Sequence, residues 1–217
     1  MKRELAEQLF RGAEILDIYI DEEMLAKFSL YLEELLAWNT KINLMGNVAD
    51  IDIITKHFLD SLSVLKVLKQ KIPLEQRFSL IDIGTGAGFP GIPMKIAWDN
   101  MELTLADSSG KKTEFLRHIL KKIGVPAKVI SERAEIMAAM PDYCGRFDVV
   151  TARAVASPER LIKILSGLLK DTGILVLPVS KKTVSETGSN QKYAVYDVPE
   201  ELLPGRSVII MRKADIV

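Results

Sequence analysis

Three glycines at two-residue spacing, Gly84, Gly86 and Gly88, follow the apolar run "LIDI" and precede a helix-like pattern. A glycine-rich turn between a strand and a helix is how a nucleotide-like ligand is commonly held. The dinucleotide fingerprint needs a further glycine where this chain has Phe89. A phosphate loop fares no better. In its one near match, "GKKT", the upstream glycine position is Leu105, and Lys112 stands where Ser or Thr belongs. Asp82 lies two residues before the first glycine, where a carboxylate would repel a pyrophosphate and suit a ligand carrying positive charge. S-adenosylmethionine fits that description, with an ammonium, a sulfonium, a carboxylate and no phosphate. The helix start after Pro90 is expected to receive its carboxylate. Asp107 ends the next apolar run, 23 positions after Gly84, where an acid accepts from ribose hydroxyls. The plain alternative is structural: Asp82 as a loop-capping acid and Asp107 as a helix cap.

Further along, Ala134 and Glu135 follow the third strand candidate and could line an adenine, although Glu135 also suits the first turn of a helix. The fourth strand candidate ends in "VVTARAVAS". It lacks the Asn/Asp-Pro-Pro-Tyr used to methylate exocyclic amines. Cys144, the single cysteine, precedes that strand and lies on the wrong side of the sheet to attack a pyrimidine. No base and no covalent nucleophile is therefore evident. A ring nitrogen with a free lone pair, such as guanine N7, needs neither, because the enzyme then supplies mainly alignment. Arg153, at the end of the fourth strand, is the residue placed to orient a base or phosphate or to brace the cofactor loop.

The elements that must position these residues divide the chain in two. Residues 1–72 read as a helical extension, with Leu5, Leu9, Ala13 and Leu16 at helical spacing and Asp21 and Asp50 as N-caps. From residue 73 to 217, apolar strands at 78–83, 102–107, 127–131, 147–152 and 173–178 alternate with helices at 91–99, 110–123, 132–140 and 158–170. That alternation predicts an α/β fold with a Rossmann-like, mostly parallel sheet covered on both faces. Runs at 192–198 and 207–213, with no helix between them, predict an antiparallel C-terminal hairpin that brings the sheet to seven strands. Residues 180–191 are polar and read as a surface loop.

Bulk composition narrows the class. Lys plus Arg and Asp plus Glu are both 29, so the chain is neutral and unlike a strongly basic nucleic-acid binder. A local basic stretch exists: Lys111, Lys112, Arg117, Lys121 and Lys122 face one acid, Glu114, within residues 108–124. It is either a phosphate-contacting surface or a solvated helix face. One cysteine and no continuous apolar N-terminal run point to a cytoplasmic protein with no membrane span and no metal site.

Taken together, the motifs resemble the glucose-inhibited-division protein B family, the bacterial small-subunit ribosomal RNA guanine-N7 methyltransferases. The matching stretches are "WNTKINL", "HFLDSL", "DIGTGAGFPGIP", "ADSSGKKTEFL", "RAE" and "TARAVAS", from residue 38 to 157. The resemblance implies a class I methyltransferase domain and S-adenosylmethionine bound by Gly84, Phe89, Ala134, Glu135 and Arg153, with Asp107 near the ribose. It implies a guanine of 16S ribosomal RNA in the small subunit as target. The N-terminal helices would then carry His57, Asp60 and Ser61 on the substrate side, with His57, Lys111, Lys112 and Arg117 touching RNA. The family pattern departs after the fifth strand, where its lysine is replaced by Lys181 or Lys182 and the following segment is short. Other readings are a dinucleotide-dependent oxidoreductase, or a non-catalytic RNA- or subunit-binding module of the same fold. A monomer acting on folded particles suits the neutral charge.

Overall fold

A computed structural model describes residues 1–153, 158–186 and 192–216. Residues 154–157 of the "TARAVAS" stretch and 187–191 of the expected surface loop lie outside them. Three helical segments come first: α1 (Arg3–Ile15), α2 (Glu22–Ile42) and a third running through α3 (Asp50–Ile53), a π-helical turn (Ile54–Leu59) and α4 (Asp60–Lys69). Asp21 caps α2 as expected, its Oδ1 accepting from the Met24 amide at 2.7 Å. Asp50 does not cap: the N-cap is Ala49, and Asp50 is the first helical residue, facing Lys2 at 4.0 Å. There its charge complements the helix dipole.

The sheet has seven strands in the order β3-β2-β1-β4-β5-β7-β6. They are β1 (Phe78–Ile83), β2 (Met101–Ala106), β3 (Lys128–Ile130), β4 (Phe147–Ala152), β5 (Leu169–Ser180), β6 (Ala194–Asp197) and β7 (Arg206–Arg212). β1 to β5 are parallel; β7 lies antiparallel between β5 and β6. The connecting helices are α5 (Gly91–Ala97), α6 (Gly110–Ile123), α7 (Ala134–Ala139), α8 (Pro158–Ser166) and α9 (Lys181–Glu186). The expected sheet is present. Two details differ: β5 begins at Leu169, which cuts short the helix expected to reach 170, and 181–186 form a helix where a loop was expected.

Both faces of the sheet's centre are buried, which is why β1, β2, β4, β5 and β7 read as nearly continuous apolar runs, whereas the edge strands β3 and β6 are half-buried to exposed. Alternate residues serve different cores. Leu80, Val149, Val176 and Val208 belong to the layer shared with α1, α2 and α4, whereas Ile81, Val150, Leu175 and Ile209 face α7 and α8. The N-terminal helices thus share one hydrophobic cluster with the sheet. Within it, Tyr31 stacks on Phe58 and Phe89 at 5.4 and 5.6 Å between ring centroids. Each such ring buries on the order of 150–250 Å² and fixes its neighbours' angles. Through these rings α2 and the π turn are docked onto the glycine loop. The parallel strands leave β1 on both sides, toward β2 and toward β4, so the switch point falls at their carboxyl ends.

Candidate active site

The glycine loop is tied down from below. Gly84, Gly86 and Gly88 have φ of 64°, 62° and 104°, a region that disfavours side chains. Thr85 donates its amide to Ala106 O at 3.1 Å, and Gly86 donates its amide to Asp107 Oδ2 at 2.9 Å, pinning the loop to the end of β2. Asp82 Oδ2 accepts from Thr85 Oγ1 at 2.6 Å and from the Gly91 amide at 2.9 Å. From the far side, Tyr31 Oη donates to Ala87 O at 2.5 Å.

This arrangement corrects two expectations. Asp82 is fully buried (0% exposed) and braces the loop from beneath, so it presents no charge to the cavity above. The start of α5 is likewise taken, because the Gly91 amide serves Asp82. The structural alternative for Asp82, a loop-capping acid, is what the geometry gives. Asp107 keeps a double role: its Oδ1 accepts from the Ser109 amide at 2.9 Å, yet it still lines a surface notch.

Above the loop lies a cavity of about 620 Å³. Its floor is Gly84, Thr85, Gly86 and Phe89; its walls are Lys56 and His57 from the π turn, Asp60 from the start of α4, Arg153 from the end of β4, and Arg206 from the start of β7. A β-carbon on Gly84 would meet nothing within 4 Å, and one on Gly86 only Gly84 O at 4.0 Å, so the bare backbone there borders open space. Gly88 differs: its β-carbon would lie 2.5 Å from Ile92 Cδ1 and 2.6 Å from Tyr31 Oη. Gly88 is therefore a packing glycine rather than a lining one. A notch of about 260 Å³ continues from Gly84 past Asp107 to Ala134 and Glu135, at the ends of β2 and β3. A second cavity of about 620 Å³ sits at the opposite edge, among Phe78, Asp148, Ile174 and Arg212. It lies at the amino ends of the parallel strands, away from the switch point.

Two polar side chains lie over the Phe89 ring, and Asp60 links one of them, Arg153, to Arg206. Arg153 Cζ lies 5.1 Å from its centroid and the His57 ring 4.8 Å. Arg153 Nη2 donates to His57 Nδ1 at 2.9 Å, and its Nη1 donates to Lys56 O at 3.3 Å. Asp60, buried at 2% exposure, accepts from Arg206 Nε at 2.9 Å and Nη2 at 2.8 Å, and from Arg153 Nη1 at 3.5 Å. The forked geometry is the strong form of an arginine–carboxylate pair. Burial, reinforced by the neighbouring Arg153 charge, pushes the His57 imidazole down to about 4, so it is neutral near pH 7. The π turn widens the helix at this point, as such turns do at functional sites.

The rRNA small subunit methyltransferase G family matches residues 24–202 of the chain. The chain belongs to that family. A ribosomal RNA small subunit methyltransferase G from Acetivibrio thermocellus is 35% identical, covering 96% of this chain and 88% of its own length. A second, from a Thermoanaerobacter species, is 34% identical over 99% of this chain and 92% of its own length. The fold agrees with a solved SAM-dependent methyltransferase from Aquifex aeolicus, with a TM-score of 0.55 at 16% identity, covering 73% of this chain and 92% of that one.

For this member of the rRNA small subunit methyltransferase G family, the structure gathers Gly84, Gly86, Phe89, Arg153 and His57 around the cavity and Asp107, Ala134 and Glu135 around the notch. It leaves Asp82 and Gly88 beneath. Lys111, Lys112 and Arg117 sit on α6 outside both: Lys111 is exposed, Lys112 faces Asp107 Oδ2 at 3.9 Å, and Arg117 donates to Thr113 Oγ1 at 3.4 Å. Lys122 is engaged at 3.3 Å by Glu34 of α2, which reduces the free charge of that helix. Ser61 is used internally, donating to His57 O at 2.6 Å. Lys181 pairs with Glu200. Cys144 is exposed, ahead of β4 and away from the cavity. Among the described residues, no group of three or more His, Cys, Asp or Glu could hold a metal, and no helix is long and apolar enough to cross a membrane. Sequence reasoning missed Arg206 and Tyr31. Each acts through a long-range contact, with no local motif to announce it.

Asp82 carries a testable consequence. Its Oδ1 and the Thr151 Oγ1, at paired positions of β1 and β4, are both buried without hydrogen-bond partners among the described residues. Burial, opposed by the Thr85 and Gly91 hydrogen bonds, raises the Asp82 carboxyl to about 7. A folded-state value above the unfolded one means the folded chain holds the proton longer. This contribution is therefore complete below about pH 4 and is lost as pH rises toward 7. Asp82→Asn removes that slope. Urea midpoints at pH 4, 5.5 and 7 should show the stability gap between wild type and variant shifting in the variant's favour, by at most about 1.4 kcal/mol per pH unit.

Proposed function

We propose that this chain transfers a methyl group from S-adenosylmethionine to N7 of a guanine in 16S ribosomal RNA of the small subunit. The observation that carries this reading is the shared cavity: the open backbone of Gly84 and Gly86 faces the same space as His57 and Arg153. The cavity and its notch meet at Gly84, and together they suit an elongated ligand with a polar amino-acid end and a nucleoside end. Ala134 and Glu135 would flank the adenine, Asp107 the ribose, and the Gly84–Gly86 backbone the methionine arm. Arg153 and Arg206 share one carboxylate, Asp60, so two cations face one anion and the wall retains positive charge for a carboxylate or phosphate. Bound there, S-adenosylmethionine supplies a methyl carbon on a sulfonium, which a lone pair takes in line as the carbon–sulfur bond breaks. N7 of guanine bears such a lone pair and has no proton to lose, which fits a cavity that has no free carboxylate base or thiol among the described residues.

The chain's net charge of zero supports a folded, protein-bearing particle as substrate rather than naked RNA. Lys111, Lys112 and Arg117, on α6 beyond the notch, are the residues we assign to phosphate contact, and the protein works as a cytoplasmic monomer. The test is methyl incorporation from labelled S-adenosylmethionine into small subunits purified from cells lacking this protein, alongside calorimetry against NADH. Incorporation with no NADH binding is expected. NADH binding without incorporation would favour an oxidoreductase, and equal labelling of a short hairpin would remove the particle requirement.

A further inference from the structure

The pairing of His57 with Arg153 fixes which imidazole nitrogen carries the proton. A guanidinium only donates, and Arg153 Nη2 lies 2.9 Å from His57 Nδ1, so Nδ1 accepts and the ring proton is on Nε2. Among the described residues Nε2 has no hydrogen-bond partner, and His57 lines the cavity opposite the glycine loop. The charged groups around the ring are Arg153, Lys56, Asp52 and Asp60; burial and Arg153 outweigh the acids and keep the ring neutral. The wall therefore presents one uncharged, oriented N–H donor toward the space above the loop.

We propose that His57 Nε2–H donates to O6 of the target guanine and so selects guanine over adenine. This rests on the guanine-N7 reading above. On its outer edge guanine presents two acceptors, N7 and O6, whereas adenine presents N7 and an amino donor. A donor aimed at the six-position accepts the first base and meets the amino group of the second. It leaves the N7 lone pair free, as a donor aimed at N7 would not. Neutrality matters as well, because methylation at N7 leaves the base positively charged and a protonated His57 would oppose that charge.

The experiment uses small subunits reconstituted with 16S ribosomal RNA carrying guanine, inosine or 2-aminopurine at the mapped position. Inosine keeps O6; 2-aminopurine lacks it and keeps N7. For wild type, His57→Phe and His57→Gln, kcat/KM is measured on each particle and S-adenosylmethionine affinity by calorimetry. His57→Phe should lose about tenfold on guanine and inosine and change little on 2-aminopurine. His57→Gln, which retains a donor, should recover part of the loss. Cofactor affinity should stay within about twofold. An equal loss on all three bases would overturn the proposal in favour of a phosphate contact or a bracing role. A fall in cofactor affinity matching the loss in rate would overturn it in favour of a cofactor contact. If wild type places no 7-methylguanosine in the guanine particle, the parent reading fails, and the proposal with it.

Discussion

Replacing Asp60 with leucine is expected to lower stability by about 3–5 kcal/mol and to abolish methyl transfer. Asp60 is the only carboxylate in contact with Arg206 and Arg153 among the described residues, and it joins the start of α4 to the ends of β4 and β7. Without it, two guanidiniums 29% and 21% exposed face each other with no anion between them. Arg153 then loses its position over Phe89, and His57 loses the partner that fixes its tautomer. Urea denaturation reads the first effect and single-turnover methyl transfer the second. The double variant Asp60→Leu, Arg206→Met removes one of the stranded charges, so it should recover much of the stability. Activity should not return, because Arg153 remains unsupported. A double variant no more stable than Asp60→Leu alone would mean the loss came from overpacking by the larger leucine rather than from unpaired charge.

Gly84→Val is expected to weaken S-adenosylmethionine binding by at least about 100-fold while costing about 1–3 kcal/mol of stability through its positive φ. The reason is direction: a side chain at Gly84 projects into open space where the cavity and notch meet. Gly88→Val should do the opposite. Its side chain would run into Ile92 and the Tyr31 hydroxyl, so stability falls steeply, by about 3 kcal/mol or more, and any protein that folds should bind cofactor closer to normally. Calorimetry and urea midpoints on the two variants separate a lining glycine from a packing one. Equal cofactor losses at matched stability would contradict the assignment of Gly84 to the ligand surface.

The parts of the fold carried by local pattern were legible in the sequence. The strand–helix alternation after residue 73, the glycine turn and the hairpin each follow from periodicity or backbone demands within a few residues. The π turn at Ile54–Leu59 was not legible, because a one-residue widening changes hydrogen bonding without changing the apolar spacing of "HFLDSL". Arg206 and Tyr31 reach the site from β7 and α2, and only the folded chain brings them there. Asp82 was read with the wrong orientation: its place in the sequence matches a ligand-facing acid, but its side chain turns under the loop to hold Thr85 and Gly91. The pairing of Lys122 and His118 with Glu34 of α2 was likewise not legible, because it joins residues more than eighty positions apart.

The most direct test is to map the product. Small subunits from cells lacking this protein are incubated with the wild-type chain and S-adenosylmethionine, and the 16S ribosomal RNA is digested and analysed by mass spectrometry. The account predicts methylation of a single guanine, as 7-methylguanosine, and none in the His57→Phe, Arg153→Leu double variant. A methyl group on an exocyclic amine, on a pyrimidine carbon or on a ribose hydroxyl would contradict it, as would RNA left unmodified by a chain that binds the cofactor.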